Sequence, residues 1–178
     1  PDIPILPSNT HPVVFVHGHS ITSSGSKDSI DAFKEFQEKL RNEGFRILSM
    51  EELESCSYQS ISEPFSVRVT YYMDENGILS DQESIEKYAE RLGILVKKII
   101  DCSREDEVTI IAHSMGGLVS RYYINNLRGK DYVDNLFMLG TPNNGIYGEI
   151  KEGIFEGLGG CKTWHSGQEC DEMDPYFN

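Results

Sequence analysis

What this sequence lacks narrows its class first. No apolar run approaches the ~20 residues that a membrane-spanning helix requires, so no segment is a candidate transmembrane span. Cationic charge is scarce. There are 16 Lys and Arg against 29 Asp and Glu, for a net charge of −13 and a pI near 4.7. That balance excludes recognition of nucleic acid, and of anionic membrane surfaces, by charge. No internal repeat is visible. Histidine occurs only five times, so each can be weighed singly. The first residue is Pro1 rather than Met, as expected of a processed or trimmed chain, with any signal peptide out of view. The remaining composition is that of a globular protein. At 178 residues the chain fits one domain, which buries roughly 70% of its unfolded surface.

Four cysteines are present, Cys56, Cys102, Cys161 and Cys170. Four cysteines allow three pairings. Cys161 and Cys170 are close together in a glycine-rich segment and form the expected bridge, which would contribute roughly 2–3 kcal/mol. Free thiols are one alternative; a metal held by Cys161, His165 and Cys170 is another. A disulfide implies an oxidising compartment and hence secretion, with a cytoplasmic location as the alternative.

Residues 1–12 hold Pro1, Pro4, Pro7 and Pro12 and read as an extended lead-in. Val13-Val14-Phe15-Val16 is all apolar and mostly β-branched, the pattern of a strand buried on both faces of a parallel sheet. It stops at His17-Gly18-His19, and a Ser/Gly/Thr-rich loop follows over 20–29. Ile30, Phe33, Phe36 and Leu40 share one helical face, with Gly44 as the stop. Phe45 to Leu48 reads as a short strand, 51–64 as a polar surface excursion without periodicity, and Val67 to Tyr72 as a strand.

Ser80 and Glu83 have the spacing of a capping box. They precede the strongest amphipathic stripe in the chain, Ile85, Tyr88, Ala89, Leu92, Leu95, Val96, Ile99 and Ile100. Strands follow at Val108–Ile111 and Asn135–Gly140, with a helix to about Leu127 between them. Alternating strands and helices with short connections predict an α/β protein of three layers, α/β/α, around a mostly parallel sheet. The core spans 12–142. Residues 143–178 hold no strand-like run and read as a lid or flap of the same domain.

The most informative residues are Ala112-His113-Ser114-Met115-Gly116-Gly117. A buried strand feeds them and a helix leaves them, with a serine at the apex. That context gives a nucleophile elbow its meaning. The neighbours must be small because strand and helix backbones nearly touch. Ala112 in place of the commoner Gly adds one methyl group. Ser114 is therefore the candidate nucleophile. His113, adjacent to it in sequence, is badly placed to take its proton and reads as a site-lining residue. His11 and His19 read as loop or rim residues.

Three blocks in order resemble the α/β-hydrolase fold, and within it the lipases and carboxylesterases. Val13 to Gly18 resembles the strand ending in His-Gly where the oxyanion loop begins. Ala112 to Val119 resembles the elbow of bacterial lipases. Leu139-Gly140-Thr141-Pro142-Asn143 with Gly145 resembles the segment after the next strand. The resemblance covers roughly residues 12–145 and implies a serine ester hydrolase that forms an acyl-enzyme on Ser114 and needs no cofactor or metal. It implies that the backbone N–H groups of His19 and Met115 receive the oxyanion, in a site lined by His17, Gly18 and His113. A calcium near Asp171, Glu172 and Asp174 is a further reading of the same resemblance.

The family order is Ser, then acid, then His. Only His165 follows Ser114, so it is the sole candidate base on the chain. The alternative is that the chain is an N-terminal portion of the fold, with acid and base beyond Asn178. The substrate implied is an acyl ester or lipid, and the partner is the remaining C-terminal part of the same protein. Acyltransferase, thioesterase or lipid-anchor deacylase activity suits the same elbow, and a catalytically inactive binding module is the rival of another class.

Overall fold

The computed structural model describes residues 10–19, 31–74, 76–79 and 83–144. The flap, Cys161, Cys170, His165, the acids at 171–174, the loop at 20–29 and most of the lead-in lie outside the described residues.

Five strands form one sheet: β1 (Val13–Val16), β2 (Arg46–Leu48), β3 (Phe65–Val69), β4 (Val108–His113) and β5 (Val133–Leu139). Their order across the sheet is β2-β3-β1-β4-β5, and every pairing is parallel. Parallel neighbours need crossovers, and four helices supply them. These are α1 (Lys34–Asn42), α2 (Met50–Ser55), α3 (Ile85–Cys102) and α4 (Met115–Asn126), with a short 3₁₀ turn at Gly129–Asp131 before β5. Each strand falls where β-branched and aromatic residues cluster, and β1 is buried along its whole length, as its unbroken apolar run demands.

Alternation of side chains sorts the core into two layers. Val14, Val16, Val67, Val69, Val108, Ile110 and Ala112 pack beneath α2, α3 and α4, against Leu53, Tyr88, Leu92, Val96, Ile99, Met115 and Val119. Val13 and Phe15 face the opposite side, against Phe33 and Phe45. Phe33 caps α1, and Gln37 of α1 donates to the Ser66 carbonyl in β3 at 3.1 Å. The three-layer α/β/α expectation therefore holds. Among the described residues β2 and β5 are the edge strands, and β5 has Phe137 55%, Met138 39% and Leu139 44% exposed.

Two local expectations are corrected. Residues 51–64 are not an unstructured excursion, because Met50–Ser55 is a helix. Its capping box is complete: Ser49 Oγ accepts from Glu52 N at 3.1 Å and the Glu52 carboxylate accepts from Ser49 N at 2.9 Å. The capping box at Ser80 and Glu83 does not start α3. Ser84 does, its Oγ accepting from Lys87 N at 3.1 Å. Glu83 is instead engaged by Arg91 at 3.1 Å.

The stretch after α2 is pinned to the end of α3. Gln59 N and Ile61 N donate to the carbonyls of Asp101 and Cys102 at 2.7 and 3.0 Å. Cys56 and Cys102 form a disulfide with Cα atoms 5.9 Å apart. The sequence-based choice, Cys161 with Cys170, concerns residues outside the described part. The observed bridge closes 46 residues, which constrains the unfolded chain by about 4 kcal/mol in the chain-entropy account. Replacing both cysteines by serine is expected to lower stability by about 2–4 kcal/mol, with β1–β4 pairing retained. Urea unfolding of the variant beside the oxidised protein, with and without reductant, checks it. A bridge without structural weight would leave the two midpoints equal.

Candidate active site

The order of strands creates the site. From β1 the chain runs to α1 on one face of the sheet, and from β4 it runs to α4 on the other. Adjacent strands whose following helices diverge open a crevice at their carboxyl ends, where ligands of such sheets bind. His17, Gly18 and His19 leave β1 there, and Ser114 leaves β4. Val16 pairs with Ala112 in the register between them, so the two turns lie side by side.

Ser114 has φ 52° and ψ −126° and is the cap residue of α4. A side chain at positive φ is strained by about 1–3 kcal/mol and persists only where its surroundings hold it. Here Ser114 N donates to Leu139 O at 2.8 Å, and Ser114 O accepts from Gly117 N at 3.0 Å. The hydroxyl makes no capping bond to the helix. Met115 N–H stands in the first turn of α4, where no intrahelical acceptor exists, at the positive end of the helix dipole.

Close approach explains the small residues. A Cβ on Gly116 would overlap the His17 carbonyl and come within 2.8 Å of the Val16 carbonyl oxygen. A Cβ on Gly18 would lie 2.8 Å from Ser114 Cβ and 3.0 Å from His113 Nδ1. Ala112, the departure from the commoner glycine, is fully buried and accommodated.

The five histidines take different places. His11 lies at the opposite, amino-terminal end of the strands. It faces Glu105, Glu107 and Asp134 at 3.5, 3.9 and 3.7 Å, so it cannot serve Ser114. Of these, His11, Glu107 and Asp134 are the one group of potential metal ligands among the described residues. His113 turns to the α1 side of the sheet. There, with Phe33, Phe36, Lys39 and Leu139, it lines a cavity of about 300 Å³ next to the elbow. His17 is buried, its ring stacked on Tyr71 with centroids 4.2 Å apart. Its Nδ1 contacts Gly18 O at 2.7 Å and its Nε2 contacts Thr70 Oγ1 at 3.0 Å. Tyr71 Oη donates to His17 O at 3.0 Å. His19 follows Gly18 at the mouth of the crevice, and His165 lies outside the described residues.

Of the residues to which the sequence pointed, the structure sets Gly18 against Ser114 and His113, and brings the first turn of α4, where Met115 lies, against His17 through Gly116; His19 follows Gly18 in the chain. Sequence reasoning missed Thr70 and Tyr71, which come from the end of β3. The Val-Arg-Val-Thr-Tyr-Tyr run announced a strand there but gave no sign of contact with residues 53 and 54 positions away.

Burial holds the His17 imidazole at about pH 4, below its usual 6.5; the bond to Gly18 opposes this shift and the neighbouring His19 adds to it. His17 is thus neutral at physiological pH, with both nitrogens engaged.

Comparison with known proteins follows from this geometry. A family model described as palmitoyl protein thioesterase matches residues 12–169. The mature form of a lipase from Bacillus licheniformis superposes with a TM-score of 0.57 at 16% identity, over 99% of this chain and 60% of its own. A gene product of Listeria innocua superposes at 0.54, also 16% identical, over 93% of this chain and 63% of its own. The chain spans about 60% of the length of these two structures. The likeness is one of fold, that of the α/β-hydrolases. No helix among the described residues is long and apolar enough to cross a membrane.

Two outcomes follow from the site. Glycine adopts positive φ without strain, so Ser114→Gly is expected to exceed Ser114→Ala in stability by about 1 kcal/mol. Equal urea midpoints for the two variants would remove strain at the elbow. Unfolded His17 binds its proton near 6.5 and folded His17 near 4. The unfolded chain therefore holds more protons between these values, and stability, full above pH 6.5, falls as pH drops towards 4. Between pH 7.5 and 4.5 the wild type is expected to lose about 2–3 kcal/mol more than His17→Gln. Denaturant titrations at both pH values measure the difference.

Proposed function

Because the chain belongs to the palmitoyl protein thioesterase family, within the α/β-hydrolase fold, we propose that it hydrolyses fatty-acyl thioesters through an acyl-enzyme on Ser114. The observation that carries this reading is the strained serine at the head of α4, with its hydroxyl uncapped and the Gly18 backbone against it.

In this reading a general base takes the Ser114 proton as Oγ attacks the acyl carbonyl carbon. Negative charge collects on the carbonyl oxygen, which receives the N–H groups of Met115 and His19. The C–S bond breaks, and the thiol leaves with the proton held by the base. Water, deprotonated by the same base, then attacks the acyl-serine. A carboxylic acid departs and the Ser114 hydroxyl is restored. The half-exposed apolar side chains of Phe36 and Leu139, beside His113, supply an apolar surface for an acyl chain next to the nucleophile.

The base is assigned to a histidine outside the described residues, either His165 or one carried by sequence beyond Asn178. His11 is too distant, and His17 is buried, neutral and committed at both nitrogens. The Cys56–Cys102 bridge supports work in an oxidising compartment, outside the cell or within the secretory or lysosomal lumen. Oxyester hydrolysis is the second reading, favoured by the alanine at position 112, which the elbow shares with bacterial lipases.

The test uses the full-length protein. Ser114 should be labelled by a fluorophosphonate, and Ser114→Ala should abolish labelling and lower turnover by at least about 10⁴-fold. A palmitoyl thioester should be cleaved with higher kcat/KM than the oxyester of the same chain length. Preference for the oxyester would select the second reading. An unlabelled Ser114 in folded full-length protein would mean a non-catalytic module.

A further inference from the structure

We infer that Thr70 is a positioning residue for the oxyanion donor at His19, acting through the ring of His17. The inference rests on the acyl-transfer role proposed for the site, but its structural part can be tested without turnover.

The hydrogen bonds fix where each proton sits. Gly18 O can only accept, so the nitrogen facing it at 2.7 Å, His17 Nδ1, carries the ring proton. A neutral imidazole then leaves Nε2 as an acceptor. Its partner at 3.0 Å is Thr70 Oγ1, which itself accepts the backbone N–H of Tyr72 at 3.2 Å. The hydroxyl proton is thus directed at Nε2. A directional chain runs from Tyr72 N–H through the Thr70 hydroxyl and the His17 ring to the Gly18 carbonyl. Thr70 and His17 are 7% and 1% exposed, so each member of this chain has little access to water, and a missing partner would be costly.

The last link matters for the site. The Gly18–His19 peptide is trans, as are all described peptide bonds. In a planar trans peptide the C=O and N–H point in opposite directions. The His17 ring, packed against Tyr71 and Tyr72, draws the Gly18 carbonyl inward. The N–H of His19 must therefore point outward, on the crevice side where Ser114 lies against Gly18. Rotation of this one peptide would turn a donor away from the oxyanion and present a carbonyl oxygen to it instead. Thr70 opposes that rotation by donating to Nε2, which holds the His17 ring in the orientation that grips Gly18. Without the hydroxyl the ring keeps its Nδ1 proton for Gly18 O but loses the partner at Nε2 that holds its plane, and is free to turn away from Gly18.

Thr70→Val keeps the shape and removes the hydroxyl. In the full-length enzyme it should lower kcat on a palmitoyl thioester by about 10-fold, a fraction of the loss when an oxyanion donor is deleted outright. KM should change by less than about twofold, since the donor acts mainly as charge develops. Thr70→Ser restores the hydroxyl and should recover kcat to within about twofold of wild type. Nitrogen-15 NMR of the His17 ring should show the Nδ1–H tautomer in wild type and both variants, with the Nε2 resonance shifted by loss of its hydrogen bond in Thr70→Val and unshifted in Thr70→Ser. Wild-type kcat in a folded Thr70→Val, or an Nε2–H tautomer in wild type, overturns the inference. If Thr70→Val fails to fold, the wild-type tautomer and the Thr70→Ser kinetics decide. If the wild-type protein cleaves no acyl substrate, the proposed function falls, and the Nε2 resonance of wild type against Thr70→Val still settles whether Thr70 holds His17 as described.

Discussion

Two backbones meet at one point in this molecule, and the site depends on that contact. The end of β1 passes so close to the first turn of α4 that Gly116 is the only residue type its position admits, with the carbonyls of Val16 and His17 against its α-carbon. The contact brings Gly18 beside Ser114 and sets the relative height of two turns from strands whose sequences are nearly a hundred residues apart. The β1–β4 register does the rest, pairing Val16 with Ala112. A slip of one residue would turn every side chain of β1 to the other face and carry the His-Gly turn away from the serine.

Around that contact the protein buries polar groups in an aromatic setting. Tyr71, Tyr72 and Tyr88 meet one another edge-on or tilted, and His17 stacks on Tyr71 and lies tilted against Tyr72. Arg91, itself 9% exposed, reaches in from α3 to the Tyr71 carbonyl at 3.2 Å while pairing with Glu83 at 3.1 Å. A buried polar group without a partner costs more than a hydrogen bond gains. The arrangement around His17 is therefore close to all-or-none, with one set of orientations that satisfies the ring at both nitrogens. That property makes a buried histidine suitable as a support for a neighbouring turn and unsuitable as a proton carrier.

Much of this was legible in the chain. Val13 to Val16 and Val108 to Ile111 announced buried strands because a strand covered on both faces has no polar residues to spare. The elbow was legible because its small residues are dictated by local geometry. Short, polar α2 escaped periodicity, since six residues make less than two turns. Its one signal was the Ser49–Glu52 spacing that caps it. The start of α3 was misread because Glu83 fits a capping box by spacing, yet its carboxylate is taken by Arg91 eight residues on. Thr70 and Tyr71 were silent because their role lies in contacts made across the sheet, and register is a tertiary fact that no single strand carries.

The position of β1 at the centre of the sheet has a further consequence for biosynthesis. Of the described strands it is the first to be synthesised, yet its partners are Ser66–Val69 on one side and Thr109–Ala112 on the other. At roughly 5–20 residues per second, about 5–20 s of translation separate β1 from its second partner. Throughout that interval an apolar strand with no hairpin neighbour waits with at least one edge unpaired. A nascent chain of this topology is a natural client for chaperones that shield extended apolar segments, and its yield on expression should be governed more by that delay than by the stability of the finished fold.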